Sequence, residues 1–136
     1  VFDGRNNTIR KDEFAPKLLG KTKKGDLLYG YARLPYVNYH PACLSAAYPM
    51  AYDKQLELEL EVKNFGLSTS EETDLTVLVN GVKLAEGQVK VLSPYESVKL
   101  SLPCINAAKI DSQTLFTIVY SQHGKEIRKE TIQNFD

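Results

Sequence analysis

Gln55-Leu56-Glu57-Leu58-Glu59-Leu60-Glu61-Val62-Lys63 alternates apolar and charged side chains without a break. On an extended chain Leu56, Leu58, Leu60 and Val62 fall on one side and Glu57, Glu59, Glu61 and Lys63 on the other. A helix cannot turn that period of two into a single apolar face. The stretch predicts a half-buried antiparallel strand, which needs a second layer to cover its leucines.

Working outward, Asn64-Phe65-Gly66 breaks the alternation, and polar residues 68–72 carry the chain to a second strand at Asp74–Val79. Asn80-Gly81 follows between two apolar runs. Both residues accept positive φ, so the pair favours the type I′ turn of a β-hairpin returning through Val82–Ala85. Ser93-Pro94-Tyr95-Glu96 is a turn candidate, after which Val98, Leu100 and Leu102 alternate with Ser97, Lys99 and Ser101. Thr114–Tyr120 is apolar on both faces and predicts a central strand whose outer face also needs covering. Beyond the turn 121–124, residues 125–135 carry Ile127, Ile132 and Phe135 among charged groups, as an exposed edge strand would. Strands separated by turns, with no convincing amphipathic helix between them, indicate an antiparallel β-sandwich.

The N-terminal part differs. Residues 1–54 hold nine Lys/Arg against five Asp/Glu, and residues 55–136 eight against twelve. Six of the eight tyrosines also precede residue 53. The organisation expected is a Tyr-rich, irregular N-terminal extension (1–54) packed on a sandwich (55–136), forming one structural domain from about residue 14. Leu27–Leu34 could form a strand after the basic loop 21–26, and the small residues Ala42–Ala47 could hold a short helical turn. Residues 1–12 have few apolar anchors and are expected to be mobile.

Composition narrows the function. The 136 residues include 17 Lys/Arg and 17 Asp/Glu, so no net field draws the chain to nucleic acid. No apolar run approaches the roughly 18 residues of a membrane span. The opening Val1-Phe2-Asp3-Gly4 has neither initiator Met nor signal-type stretch, so a soluble chain with a processed or cut start is expected. Cys43 and Cys104 form no CxxC pair, and His40 beside Cys43 is too little for zinc. If the protein is exported, the two cysteines could close one disulfide loop of about 60 residues, worth ~4 kcal/mol. Otherwise they are separate thiols behaving as small buried hydrophobes. Asn6-Asn7-Thr8 is a glycosylation sequon, meaningful only in a secreting eukaryote.

From Leu56 to Leu102 the order Leu-x-Leu-x-Leu-x-Val-x-Asn-x-Gly, Asp-Leu-Thr-Val-Leu-Val-Asn-Gly and Val-Leu-Ser-Pro-Tyr-Glu-Ser-Val-x-Leu-x-Leu resembles the bacterial and archaeal CARDB family. Similar text occurs in late-embryogenesis-abundant type 2 domains. The chain carries Tyr95 where CARDB members usually have Gly after the Pro. The resemblance implies an immunoglobulin-like β-sandwich acting as a non-catalytic module of exported, multidomain surface proteins.

The residues themselves argue against catalysis. His40 and His123 sit in a Tyr/Pro-rich stretch and a turn, where a triad would need an unusual fold-back. Glu57, Glu59 and Glu61 lie along one strand face at ~6–7 Å intervals, a solvated row that Lys99 could meet from a paired strand. Glu71, Glu72 and Asp74 lack the Asp-x-Asp ladder of a calcium loop. No Gly-rich phosphate loop, nucleophile elbow or zinc spacing appears. Neither a metal nor a cofactor is expected.

What remains is the tyrosine window. Tyr29 and Tyr31 share one strand face, with Tyr36, Tyr39 and Tyr48 in loops able to converge on it and Arg33, Lys21, Lys23 and Lys24 nearby to favour an anionic partner. Alternatively these rings cover the outer face of Phe116, Ile118 and Tyr120. The function expected is a non-catalytic binding or spacer module at an extracellular, periplasmic or cell-surface location, mediating protein interaction or adhesion. The alternative is a carbohydrate-binding accessory domain using Tyr36, Tyr39 and Tyr48.

Overall fold

The computed structural model describes residues 14–46, 51–52, 57–106, 110–111 and 114–133. The sequon, residues 1–12 and Tyr48 lie outside them. The strands are β1 (Lys17–Lys21), β2 (Leu27–Tyr31), β3 (Leu44–Ala46), β4 (Ala51–Tyr52), β5 (Glu57–Asn64), β6 (Thr73–Val79), β7 (Val82–Val89), β8 (Ser97–Pro103), β9 (Leu115–Gln122) and β10 (Lys125–Gln133). All pairings are antiparallel. β10, β9, β6 and β7 make one sheet, and β5 is flanked by β8 on one side and by β3 and β4 on the other in a second. β1 and β2 form a separate two-stranded ribbon. Among the described residues no helix is long and apolar enough to cross a membrane.

The chain is an all-β sandwich, and alternation builds its core. Leu58, Leu60 and Val62 of β5 are buried against Leu75, Val77 and Val79 of β6 and Phe116, Ile118 and Tyr120 of β9. Each such side chain contributes roughly 1.5–3 kcal/mol on leaving water. Asn80 (φ 51°) and Gly81 (φ 79°) make the tight turn from β6 to β7, the pair of positive angles a type I′ turn requires. His123 (φ 53°) and Gly124 (φ 76°) do the same between β9 and β10.

Two bulges decide what faces inward. In β7 the register steps from Val77↔Ala85 to Leu78↔Lys83, so Leu84 is extra and both Leu84 and Ala85 are buried. The shifted Leu84 carbonyl accepts the Ile105 amide at 2.8 Å, and Ala85 bridges Cys104 beyond the end of β8. In β10 the register steps from Glu126↔Ser121 to Arg128↔Tyr120. Uninterrupted alternation would turn Ile127 inward; the bulge leaves it 49% exposed and turns Arg128, Glu130 and Ile132 toward the second sheet instead. β10 is thus the edge strand its composition suggests, exposed at Lys125, Glu126, Ile127 and Lys129 but with Glu130 buried.

Two expectations change, and one open alternative is decided. Leu44–Ala46 is not a helical turn but a strand paired with Asn64–Val62 of β5. Phe116, Ile118 and Tyr120 are core residues, so no tyrosine window covers them; the outer face of β9 is Leu115, half-buried Thr117 and half-buried Val119. Cys43 and Cys104 are free thiols. Cys43 enters β3 beside the Asn64 end of β5, whereas Cys104 follows Pro103 at the Glu57 end. Seven residues of strand separate those ends, ~23 Å, against the ~7 Å Cα limit of a disulfide.

Candidate functional site

The β1–β2 ribbon meets the sandwich at the end of β5. Thr22 shapes its turn: its amide donates to the Asp26 carbonyl at 2.9 Å and its hydroxyl accepts the Asp26 amide at 3.0 Å. Lys17 pairs with Tyr31 and Leu19 with Tyr29, so Tyr29 and Tyr31 share a face. The Tyr31 ring stands edge-on to Phe65, centroids 4.8 Å apart. Phe65 is fully buried and forms a second small core with Phe14 and Ala15, on which Val37, Tyr39 and Cys43 pack.

Cations fill the spaces between these rings. The Arg33 guanidinium lies 3.8 Å from the Tyr39 centroid and 5.0 Å from that of Tyr95, and it donates to the Tyr95 hydroxyl. Lys63 lies 5.9 Å from the Tyr31 ring and donates to the Tyr95 carbonyl at 2.9 Å. Arg128 lies 4.1 Å from the Phe14 ring and Lys17 5.7 Å from Phe65. Each contact of this kind contributes roughly 0.5–2 kcal/mol, more where water is excluded.

Beneath this surface lies the buried carboxylate of Glu130. Glu130 accepts the Ala46 amide at 2.9 Å, the Ser45 hydroxyl at 2.6 Å and Arg128 at 3.1 Å; Tyr120 donates to it as well, and Lys17 lies 3.9 Å away. Burial alone would raise its pKa, but Lys17, Arg128, the Ala46 amide and Ser45 outweigh that and hold it below the usual carboxylate range. Burial and the Glu130 charge push the Tyr120 phenol well above its ordinary value. One anion thus balances Lys17 and Arg128, while Arg33 and Lys63 lie nearer the surface.

The sequence-predicted residues divide between support and surface. Tyr39 is structural: its hydroxyl accepts the Leu34 amide at 2.8 Å and donates to the Phe14 carbonyl. Tyr29, Tyr31 and Tyr36 are 41%, 42% and 67% exposed, and Arg33 connects Tyr39 to Tyr95. Lys23 and Lys24 sit at the far tip of the ribbon, roughly 16 Å of strand from Tyr31, so Lys17 and Lys63 supply the local charge instead. Tyr95 and Lys63 were not singled out by spacing. The available signal was the departure at residue 95: Tyr95 holds φ 67°, a left-handed conformation in which Gly is the ordinary occupant.

Other chemistry-bearing groups lie apart. A shallow depression of about 220 Å³ on the outer face of β5 and β8 is lined by Glu59, Glu61, Lys99 and Ser101, with Glu61 directly opposite Lys99. His123 lies 3.4 Å from Glu71 on an exposed turn, and His40 is exposed in the loop before β3. Compared with protein-family models and with curated proteins, the chain matches none.

Proposed function

We propose that this chain is a non-catalytic binding module of an exported or cell-surface protein, gripping an acidic protein partner through Arg33, Tyr31, Tyr36, Lys63 and Tyr95. The observation that carries this reading is the conformation of Tyr95. A left-handed backbone at a non-Gly residue costs roughly 1–2 kcal/mol, and here the strain sets a 45% exposed ring beside a guanidinium. Strain of this kind gathers at functional surfaces. Arg33 and Lys63 bring two cations to these rings, which favours an anionic partner.

The strand order, three strands wide over four, fits the immunoglobulin-like sandwich that such a module would have. Saccharide binding is the weaker reading: Arg33 covers Tyr39, and Tyr31 stands edge-on to Phe65, leaving few open coplanar rings to stack on a sugar. The test is retention of extracellular proteins on immobilised chain, alongside a glycan array. Arg33→Ala and Tyr95→Gly are expected to reduce retention at least tenfold with no glycan bound. Unchanged retention in both variants, or glycan binding lost in Tyr36→Ala, overturns the proposal.

A further inference from the structure

The ladder that holds β2 also fixes the spacing of the two cations at the tyrosine cluster. Past the end of β2 the Ala32 amide donates to the Pro16 carbonyl at 3.3 Å and the Leu34 amide to the Phe14 carbonyl at 3.1 Å. The antiparallel pairing therefore runs on through residue 34, with the even positions bonded across the ribbon. In such a ladder the residues between turn their main-chain groups the other way, so the N–H and C=O of Tyr31 and Arg33 point to the side of β2 away from β1. Among the described residues no strand pairs that side, because the ribbon is two strands wide. Tyr31 and Arg33 stand two residues apart, so their side chains share a face. One cation lies at each: the Arg33 guanidinium itself, and the Lys63 ammonium 5.9 Å from the Tyr31 ring. Among the described residues neither cation pairs with a carboxylate. Glu96 is engaged by Lys90 at 3.6 Å and by the Ser93 amide at 2.9 Å, and Glu130 by Lys17 and Arg128. Arg33 is half-buried and its Nε is buried without an acceptor, a desolvation cost that an incoming carboxylate offsets.

We infer that the acidic partner is an extended peptide segment that lies antiparallel along the open side of β2 and carries acidic side chains at two alternate positions, one for Arg33 and one for Lys63. The inference rests on the function proposed above and narrows it to one kind of partner. Strand addition supplies main-chain hydrogen bonds, and the alternate side chains supply the selection. Residues on one face of a strand are spaced ~6.5–7 Å apart, so acids at i and i+2 reach the positions of Tyr31 and Arg33 together. Adjacent acids point to opposite faces, and one of them then lies on the side of Gly30 and Ala32, which offer no charge.

Fluorescence anisotropy of the whole chain with blocked seven-residue peptides, at low ionic strength, tests this. One peptide carries glutamates at its third and fifth positions among threonines; the control carries them at its third and fourth. The alternate peptide is expected to bind at least tenfold tighter, and Arg33→Ala and Lys63→Gln each to weaken its binding at least tenfold with unchanged circular dichroism. N-methylation probes the main-chain bonds without altering the protein. On the two glutamate amides, which face β2, it is expected to abolish binding; on the residue between them, whose amide faces water, to leave it within twofold. Equal binding of both peptides, indifference to which amides are methylated, or no binding of the alternate peptide overturns the inference. Retention of extracellular proteins that still falls in Arg33→Ala and Tyr95→Gly then leaves the proposed function standing with a partner of another shape, whereas retention unchanged in both variants removes the two together.

Discussion

The Glu130 carboxylate of β10 accepts the Ala46 amide of β3 at 2.9 Å, joining the edge of one sheet to the edge of the other. Removing it leaves Lys17 and Arg128 without their shared counter-charge and the Ser45 and Tyr120 hydroxyls without an acceptor. Glu130→Ala is expected to cost roughly 3–5 kcal/mol, read from urea denaturation at neutral pH. A loss under ~1 kcal/mol would remove this network as a source of stability.

The same carboxylate sets an acid limit. Its folded pKa is lowered, so its stabilisation is complete above the unfolded value of about 4.3 and disappears as pH falls through the lower folded one. Tyr120 is raised, so its contribution is complete below about pH 10 and is lost as pH rises through the folded value. Melting temperature is expected to fall below the acid limit and above the alkaline one, and Glu130→Gln to show a shallower acid decline than the wild type.

Two glycines distinguish rigid from yielding neighbours. A Cβ at Gly66 would lie 2.1 Å from the Pro41 carbonyl oxygen and 2.8 Å from the Ala42 Cα, both backbone atoms. At Gly87 the nearest atom, 2.4 Å away, is Leu102 Cδ2 at the end of a side chain. Gly66→Ala is expected to destabilise by about 3 kcal/mol and Gly87→Ala by about 1 kcal/mol. Equal shifts in thermal melts would contradict this difference.

Asn64 serves as a junction. Its Oδ1 accepts the Cys43 and Gly66 amides at 3.1 and 2.9 Å, and its Nδ2 donates to the Ser68 and Leu92 carbonyls at 2.8 and 3.1 Å. Asn64→Ala takes this partner from three backbone groups, while the Leu92 carbonyl keeps the Ser70 amide at 2.8 Å, and is expected to cost about 3 kcal/mol in equilibrium unfolding. A near-neutral result would mean that water replaces these bonds.

The cysteines offer a simple chemical check. Burial raises the pKa of Cys43 against the pull of Arg128 and Arg33; burial, then Glu57, raises that of Cys104. Both thiols are expected to react slowly with a disulfide reagent near neutral pH and to titrate as two on unfolding. Reductant is expected to leave the melting temperature unchanged; a fall would reveal a bond between them.

These predictions draw unevenly on what the sequence made legible. β5 through β9 could be read from alternation and from Asn80-Gly81, because their patterns arise from burying one face. Leu44–Ala46 carries no period of its own and becomes a strand only through pairing with β5. The bulge at Ile127 inverts the period in β10, so Arg128 and Glu130 face inward where simple counting puts Ile127. At the candidate site the sequence identified Arg33 and the exposed tyrosines but not their supports, since these come from two stretches far apart along the chain, Phe14 with Lys17 and Lys63 with Phe65. Tyr95 was visible only as a misfit.

The Ala85–Cys104 bridge and the Glu130–Ala46 bond stand at opposite flanks of the sandwich. Together they fasten the layers like a garment closed down both sides. An invading strand at either hem must first undo a fastening, which guards the molecule against sideways growth into fibrils and directs encounters with other chains toward its faces.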